Sequence, residues 1–173
     1  SFNVESDSFE SGIEKLGMVL GFESDRPEKS SGSGPDNLWH IEGKQFWIIS
    51  CKNMVKMTRN VIHKNEANQL ISDIGWFDKN YEGCKPIPIL IHPSKILESN
   101  AFLTMPSYVI TKRSLDSLKE NVTNFYNSLI EIPFDKISPE TVREKLQEVQ
   151  LDNYSLSKNY LERIKDNDMN KTS

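Results

Sequence analysis

The chain has 173 residues, with 21 Lys and Arg against 25 Asp and Glu and a formal net charge of −4. That balance excludes a uniformly basic nucleic-acid-coating protein, and no apolar run is long enough to span a membrane. The length suits one domain with a real core, expected to be soluble, cytoplasmic and, because it starts at Ser1, part of a longer protein.

Ser8 is a helix cap for Phe9, Ile13, Leu16 and Leu20, which recur at helical spacing up to Gly21. Residues 22–26 predict a short strand, and Pro27 with the Ser30-Ser31-Gly32-Ser33-Gly34 run predicts a flexible loop leading to Asp36. Residues 37–41 and 45–51 then read as an antiparallel hairpin turning at Gly43. The second strand, apolar on both parities, is expected to be central. Asn65 is the expected cap of a helix whose Ala67, Leu70, Ile71, Ile74 and Phe77 form an apolar stripe, with Trp76 beside it. Strands follow at 86–92 and 108–111, then helices from Ser114 to about Leu129, from Ser138-Pro139-Glu140, and over 157–164. Residues 166–173 are polar and expected to fray. The order of elements indicates an α/β fold on a small mixed sheet flanked by helices, with a core over 1–112 and a helical extension over 113–173 packed on it as a single domain overall.

The hairpin brings chemistry together. With Gly43 central to the turn, Asp36 falls opposite Ser50, and Lys52 projects to the same side as Ser50 while Cys51 points away. Directly opposed residues have Cβ atoms roughly 5 Å apart, the spacing at which two groups share one hard cation. A carboxylate at position 50 would complete such a pair; a serine does not. From Gly43 to Asn65 there is no acid, whereas Lys44, Lys52, Lys56, Arg59 and Lys64 are basic. This stretch is either a path for a phosphate backbone, through Lys44, Lys56, Arg59 and Lys64, or a solvated basic loop. Cys51 and Cys84 lack metal-ligand spacing and are expected to be reduced thiols, Cys51 facing inward. His40, His63 and His92 lack the spacing of a metal cluster, and Trp39, Trp47 and Trp76 are expected in the core.

The segment from Phe9 to Pro93 resembles the PD-(D/E)xK nucleases, which have the restriction-endonuclease-like fold, and among them the nuclease-like domains attached to DEAD/DEAH-type helicases. The resemblance rests on Phe9-Glu10 with Leu20-Gly21-Phe22, Arg26-Pro27-Glu28, Gly34-Pro35-Asp36 with Leu38-Trp39, Ile48-Ile49-Ser50-Cys51-Lys52-Asn53, Ile62 with Lys64 and Gln69-Leu70, Trp76-Phe77, and Ile91-His92-Pro93. It implies a metal-dependent phosphodiesterase acting on DNA, with a helicase domain or subunit as partner. Asp36 and position 50 would hold Mg2+ or Mn2+ with the Cys51 main-chain carbonyl, Lys52 would orient the nucleophile, Glu10 would support the metal, with Glu14 a second candidate, and Gln69 would support the site.

Ser50 departs from that pattern. It implies weak metal binding and impaired catalysis, an engineered position, or an acid that has moved to the following helix, with Glu66 the nearest candidate. If the acid is simply missing, Ser50→Glu is expected to restore metal binding and cleavage. Each residue also has a structural reading: Asp36 as a turn cap, Lys52 as a strand-end lysine, Glu10 and Glu14 as a solvated helix face, Gln69 as a partner of the backbone. The alternatives to a nuclease are a catalytically inactive nucleic-acid-binding or protein-interaction module, and a structural appendage of a helicase or defence complex.

Overall fold

Two tryptophans opposite one another set the frame of the sheet. A computed structural model describes residues 2–52 and 58–167, with side chains from residue 5 onward. Strand β2 (Asn37–Glu42) pairs antiparallel with β3 (Gln45–Cys51), with Trp39 facing Trp47 and Leu38 facing Ile48. The two indoles stack at 5.6 Å between ring centroids and are almost fully buried. A cross-strand aromatic pair of this kind is among the stronger register-setting contacts of a sheet.

Around this hairpin lies one mixed six-stranded sheet in the order β1 to β6. Strand β1 (Glu23–Asp25) pairs antiparallel with β2, β4 (Lys85–Ile91) runs parallel to β3, β5 (Tyr108–Ile110) runs parallel to β4, and β6 (Glu162–Arg163) pairs antiparallel with β5. Joining the parallel pair β3 and β4 requires a crossover, supplied by helix α3 (Lys64–Asn80).

The two faces of the sheet receive different helices. On one, Ile48 and Leu38 meet Ile74 and Phe77 of α3, and Leu90 joins Ala67 and Leu70. On the other, helix α1 (Phe2–Val19) lies against Trp39 and Asn37; the Asn37 amide donates to the Glu10 carbonyl. This is an α/β architecture with a mixed sheet flanked by helices.

The chain divides into two compact units, one running to Thr111 and resumed from Glu162, the other Lys112–Leu161. The second contains α4 (Lys112–Ile130), α5 (Pro139–Glu148) and α6 (Asn153–Tyr160). Within it Leu115, Leu118, Val122 and Phe125 form the buried stripe of α4, and the Asn121 amide donates to the Tyr160 hydroxyl at 2.7 Å. Ser138 caps α5, accepting from the Thr141 N–H.

Four local expectations change. Helix α1 begins well before Ser8, since no breaker interrupts residues 2–7. The expected flexible loop contains a short helix, α2 (Pro27–Ser31), built from a proline at its first turn and Gly32 in the left-handed conformation at its end. Helix α3 is entered through His63, whose N–H is accepted by Glu66, rather than through Asn65. The last expected helix ends at Tyr160, and β6 follows because the Ile164 N–H is taken by the Ser107 carbonyl.

Gly17 and Gly12 test the packing of α1 on the sheet. A Cβ on Gly17 would lie 2.5 Å from Trp39 Nε1, whereas one on Gly12 would meet nothing within 4 Å. Glycine inside a helix costs roughly 0.5–1 kcal/mol relative to alanine. Gly12→Ala is therefore expected to raise the melting temperature, and Gly17→Ala to lower stability by about 1–3 kcal/mol because the clamped indole must move. Thermal melts of the two variants check this; a stabilised Gly17→Ala chain would contradict the packing.

Candidate functional site

The register of β2 and β3 continues one step past Asn37 opposite Ile49, so that Asp36 stands opposite Ser50. Gly34, with a positive φ of 102°, carries the loop into this position beneath Trp76, where a Cβ would lie 2.7 Å from the indole. The Asp36 carboxylate accepts the Cys51 N–H at 2.5 Å, and Lys52 lies within electrostatic reach. Asp36, Ser50 and Lys52 are thus gathered at the C-terminal end of β3, on the face covered by α3.

The second acid comes from α3, and it is Asp73. Ser50, fully buried, donates its hydroxyl to Asp73 Oδ2 at 2.5 Å, and the Gln69 amide donates to Oδ1 at 2.9 Å. Gln69 and Asp73 are one turn apart on the same helix face. A third carboxylate, Glu28 of α2, hydrogen-bonds Asp36.

This grouping is electrostatically strained. Burial pushes the Asp36 carboxyl up to about 6, and the Glu28 carboxylate adds to the rise against the opposing Cys51 N–H and Lys52 ammonium. Burial likewise pushes Asp73 up to about 6; the bonds from Ser50 and Gln69 oppose it, and Asp36 adds to it. One lysine does not offset two buried carboxylates.

The other expected residues lie elsewhere. Glu10 Oε2 pairs with Arg26 at 2.6 Å and its Oε1 accepts from Ser6, within a charged group that includes Asp7 and Lys29. The Cys51 thiol is buried on the α1 side, receives the Asn37 amide at 3.7 Å, and is held well above its usual pKa by burial and by Asp36. Cys51 and Cys84 are both free thiols. Glu66 does not approach Ser50: it binds Arg59 at 3.1 Å and the His63 N–H at 2.8 Å, with His92 Nε2 at 3.6 Å.

Of the basic stretch, Lys44 is exposed in the β2–β3 turn, eight residues and so about 25 Å from Lys52 along an extended strand. Lys64 is exposed at the start of α3, and Lys56 lies outside the described residues. Of the three that are described, Arg59 alone stands among the buried groups near the strand ends.

The sequence reading overlooked Asp73 and Glu28. Asp73 did leave a signal: an acid one turn after Gln69, between Leu70 and Ile74, falls inside the apolar stripe and must be buried.

Among the described residues no group of three or more His, Cys, Asp or Glu side chains is arranged to hold a metal ion. Two carboxylates still suit Mg2+, which keeps several waters and is commonly held by one or two acids. Comparison with protein-family models, with curated proteins and with solved structures found no match.

The raised carboxyls set a pH dependence. Between about pH 4 and 6 the folded chain holds protons that the unfolded chain has released, so these groups make stability fall as pH rises through that interval. Asp36→Asn keeps an acceptor for Cys51 and gives Glu28 a donor. It is expected to raise the melting temperature at pH 7.5 in EDTA, by roughly 2–4 °C per kcal/mol relieved, and to change little at pH 4. Melts across this range check the sign; equal effects at both pH values would remove the electrostatic explanation.

Proposed function

We propose that the chain is a nuclease domain of restriction-endonuclease-like class, a metal-dependent phosphodiesterase acting on DNA, in which Asp73 supplies the acid absent from position 50. The observation that carries this reading is the grouping of two buried carboxylates at the end of a central strand, Asp73 on the Ser50 hydroxyl and Asp36 on the Cys51 N–H, both within electrostatic reach of Lys52. The mixed sheet with its crossover helix is compatible with that class.

A divalent ion such as Mg2+ or Mn2+, when bound between the two acids, would lower the pKa of a water and offset charge on the scissile phosphate. The remaining roles belong to the chain. Ser50 and Gln69 fix both oxygens of Asp73, and the Cys51 N–H fixes Asp36, so the acids are oriented before any ligand arrives. Lys52, an electrostatic neighbour of both acids, would hold the attacking water or stabilise the developing negative charge. Both acids must be ionised to bind a cation, so metal affinity is expected to drop below about pH 6.

One observation favours the alternative of an inactive nucleic-acid-binding module, attached to a helicase or a defence complex. Glu10, the supporting acid that the resemblance implies, is neutralised by Arg26.

Metal titration by calorimetry, together with plasmid cleavage in Mg2+ and Mn2+, separates the two. Asp73→Asn and Lys52→Ala are each expected to lower cleavage by roughly 10²–10³-fold, and only Asp73→Asn to lose metal. Ser50→Glu alone would press a new buried carboxylate against Asp73 and is expected to destabilise the chain. Ser50→Glu combined with Asp73→Ala returns the acid to the strand and is expected to retain metal binding. DNA binding without cleavage in the parent chain and this double variant would assign the protein to the inactive module.

A further inference from the structure

Beyond the paired acids, the same polar edge of α3 carries a second buried ionic group. Glu66, Gln69 and Asp73 fall on one helix face, and Glu66 lies two turns, about 10 Å, from Asp73. The Glu66 side chain is 5% exposed, and its Oε2 collects Arg59 Nη1 at 3.1 Å, the His63 N–H at 2.8 Å and the approach of His92 Nε2 at 3.6 Å. Although burial raises its pKa, the His92 imidazole, the His63 N–H and Arg59 together hold it below the usual value, so Glu66 stays ionised.

The position of this group relates it to the acids. The β3 and β4 ladder pairs Ser50 with Leu90 and Cys51 with Ile91, and one further step sets His92 beside Lys52. The His92 ring is fully buried and its Nδ1 is engaged by the Ser94 main chain, so it is a fixed wall behind Glu66. The N–H groups of His63 and Lys64 at the start of α3 are not open to an anion, because Glu66 takes the first and Glu98 the second. Arg59, 27% exposed, gives Nη1 to Glu66, and its guanidinium carries further donors beyond that one bond.

We propose that Glu66, backed by His92 and the His63 N–H, is a positioning residue that fixes Arg59 as a clamp for a second backbone phosphate of the bound nucleic-acid strand. The axial rise is about 3.4 Å per nucleotide and the backbone also winds around the axis, so successive phosphates are spaced more widely than that, and a clamp about 10 Å from Asp73 meets a phosphate roughly one or two nucleotides from the one at the paired acids. This rests on the nuclease reading. It adds the direction in which the strand crosses the site, from Asp73 toward the start of α3.

The test is binding of a short DNA duplex to the full chain in EDTA over a salt series, read by fluorescence anisotropy, so that neither metal nor cleavage enters. Arg59→Ala is expected to reduce the slope of log K against log salt by about 0.9, and Arg59→Lys to keep it. Glu66→Gln, which keeps an acceptor for the His63 N–H, is expected to weaken binding several-fold. In that background Arg59→Ala should cost almost nothing more, whereas a purely structural Glu66 would give additive losses. An unchanged slope in Arg59→Ala, or additive losses, overturns the clamp and leaves the nuclease reading standing. If Glu66→Gln does not melt cooperatively, the slope of Arg59→Ala decides alone. A parent chain that does not bind the duplex at low salt overturns both.

Discussion

The pairing of β2 with β3 is the constraint on which the rest depends, because one register serves both the core and the site. Trp39 opposite Trp47 seals the α1 face, Leu38 opposite Ile48 seals the α3 face, and the same alignment leaves Asp36 opposite Ser50. A slip of one residue would turn each indole to the other face and carry Asp36 away from Lys52. The tryptophans act on the chemistry only through this alignment, since both are buried.

Helix α3 supplies the second half of the arrangement. Its apolar residues dock on β3 and β4, and once Ile74, Phe77, Ala67 and Leu70 are seated, the polar residues interleaved with them have no freedom of placement. Asp73 arrives at Ser50, and Glu66 arrives at Arg59 and His92. A serine at position 50 is what makes the first meeting favourable: it donates a hydrogen bond to the incoming carboxylate, where a strand acid would repel it. Ser50, Gln69 and Asp73 form a single unit, and the absence of an acid on the strand cannot be judged apart from the acid on the helix.

The distribution of charge follows the same logic. An overall charge of −4 coexists with a strand end at which buried acids outnumber the nearby lysine and a single arginine is held by a buried glutamate. Separation along the strand, rather than the count of lysines in the sequence, decides which cations reach this end. Lys44 belongs to the opposite end of β3.

Much of the fold was legible because it rests on local rules. Alternation and the Gly43 turn determined the hairpin and its register, helical spacing determined the face of α3 that packs, and Ser138-Pro139 determined the start of α5. Gln69 came only from the resemblance, whereas Asp36, Ser50 and Lys52 could be brought together from these rules, since they lie on, or one step beyond, paired strands whose period is fixed by backbone geometry. The identity of the second acid could not. Glu66 and Asp73 lie on the same stripe of one helix, and only the depth at which α3 settles against β3 and β4 places one of them over Ser50 and the other over His92. The same holds for Glu10, claimed by Arg26 from a different element, and for β6, which forms because Ser107 offers a carbonyl to Ile164 from a distant part of the chain. Short-range periodicity determines which face a residue occupies; long-range packing decides which partner it meets there.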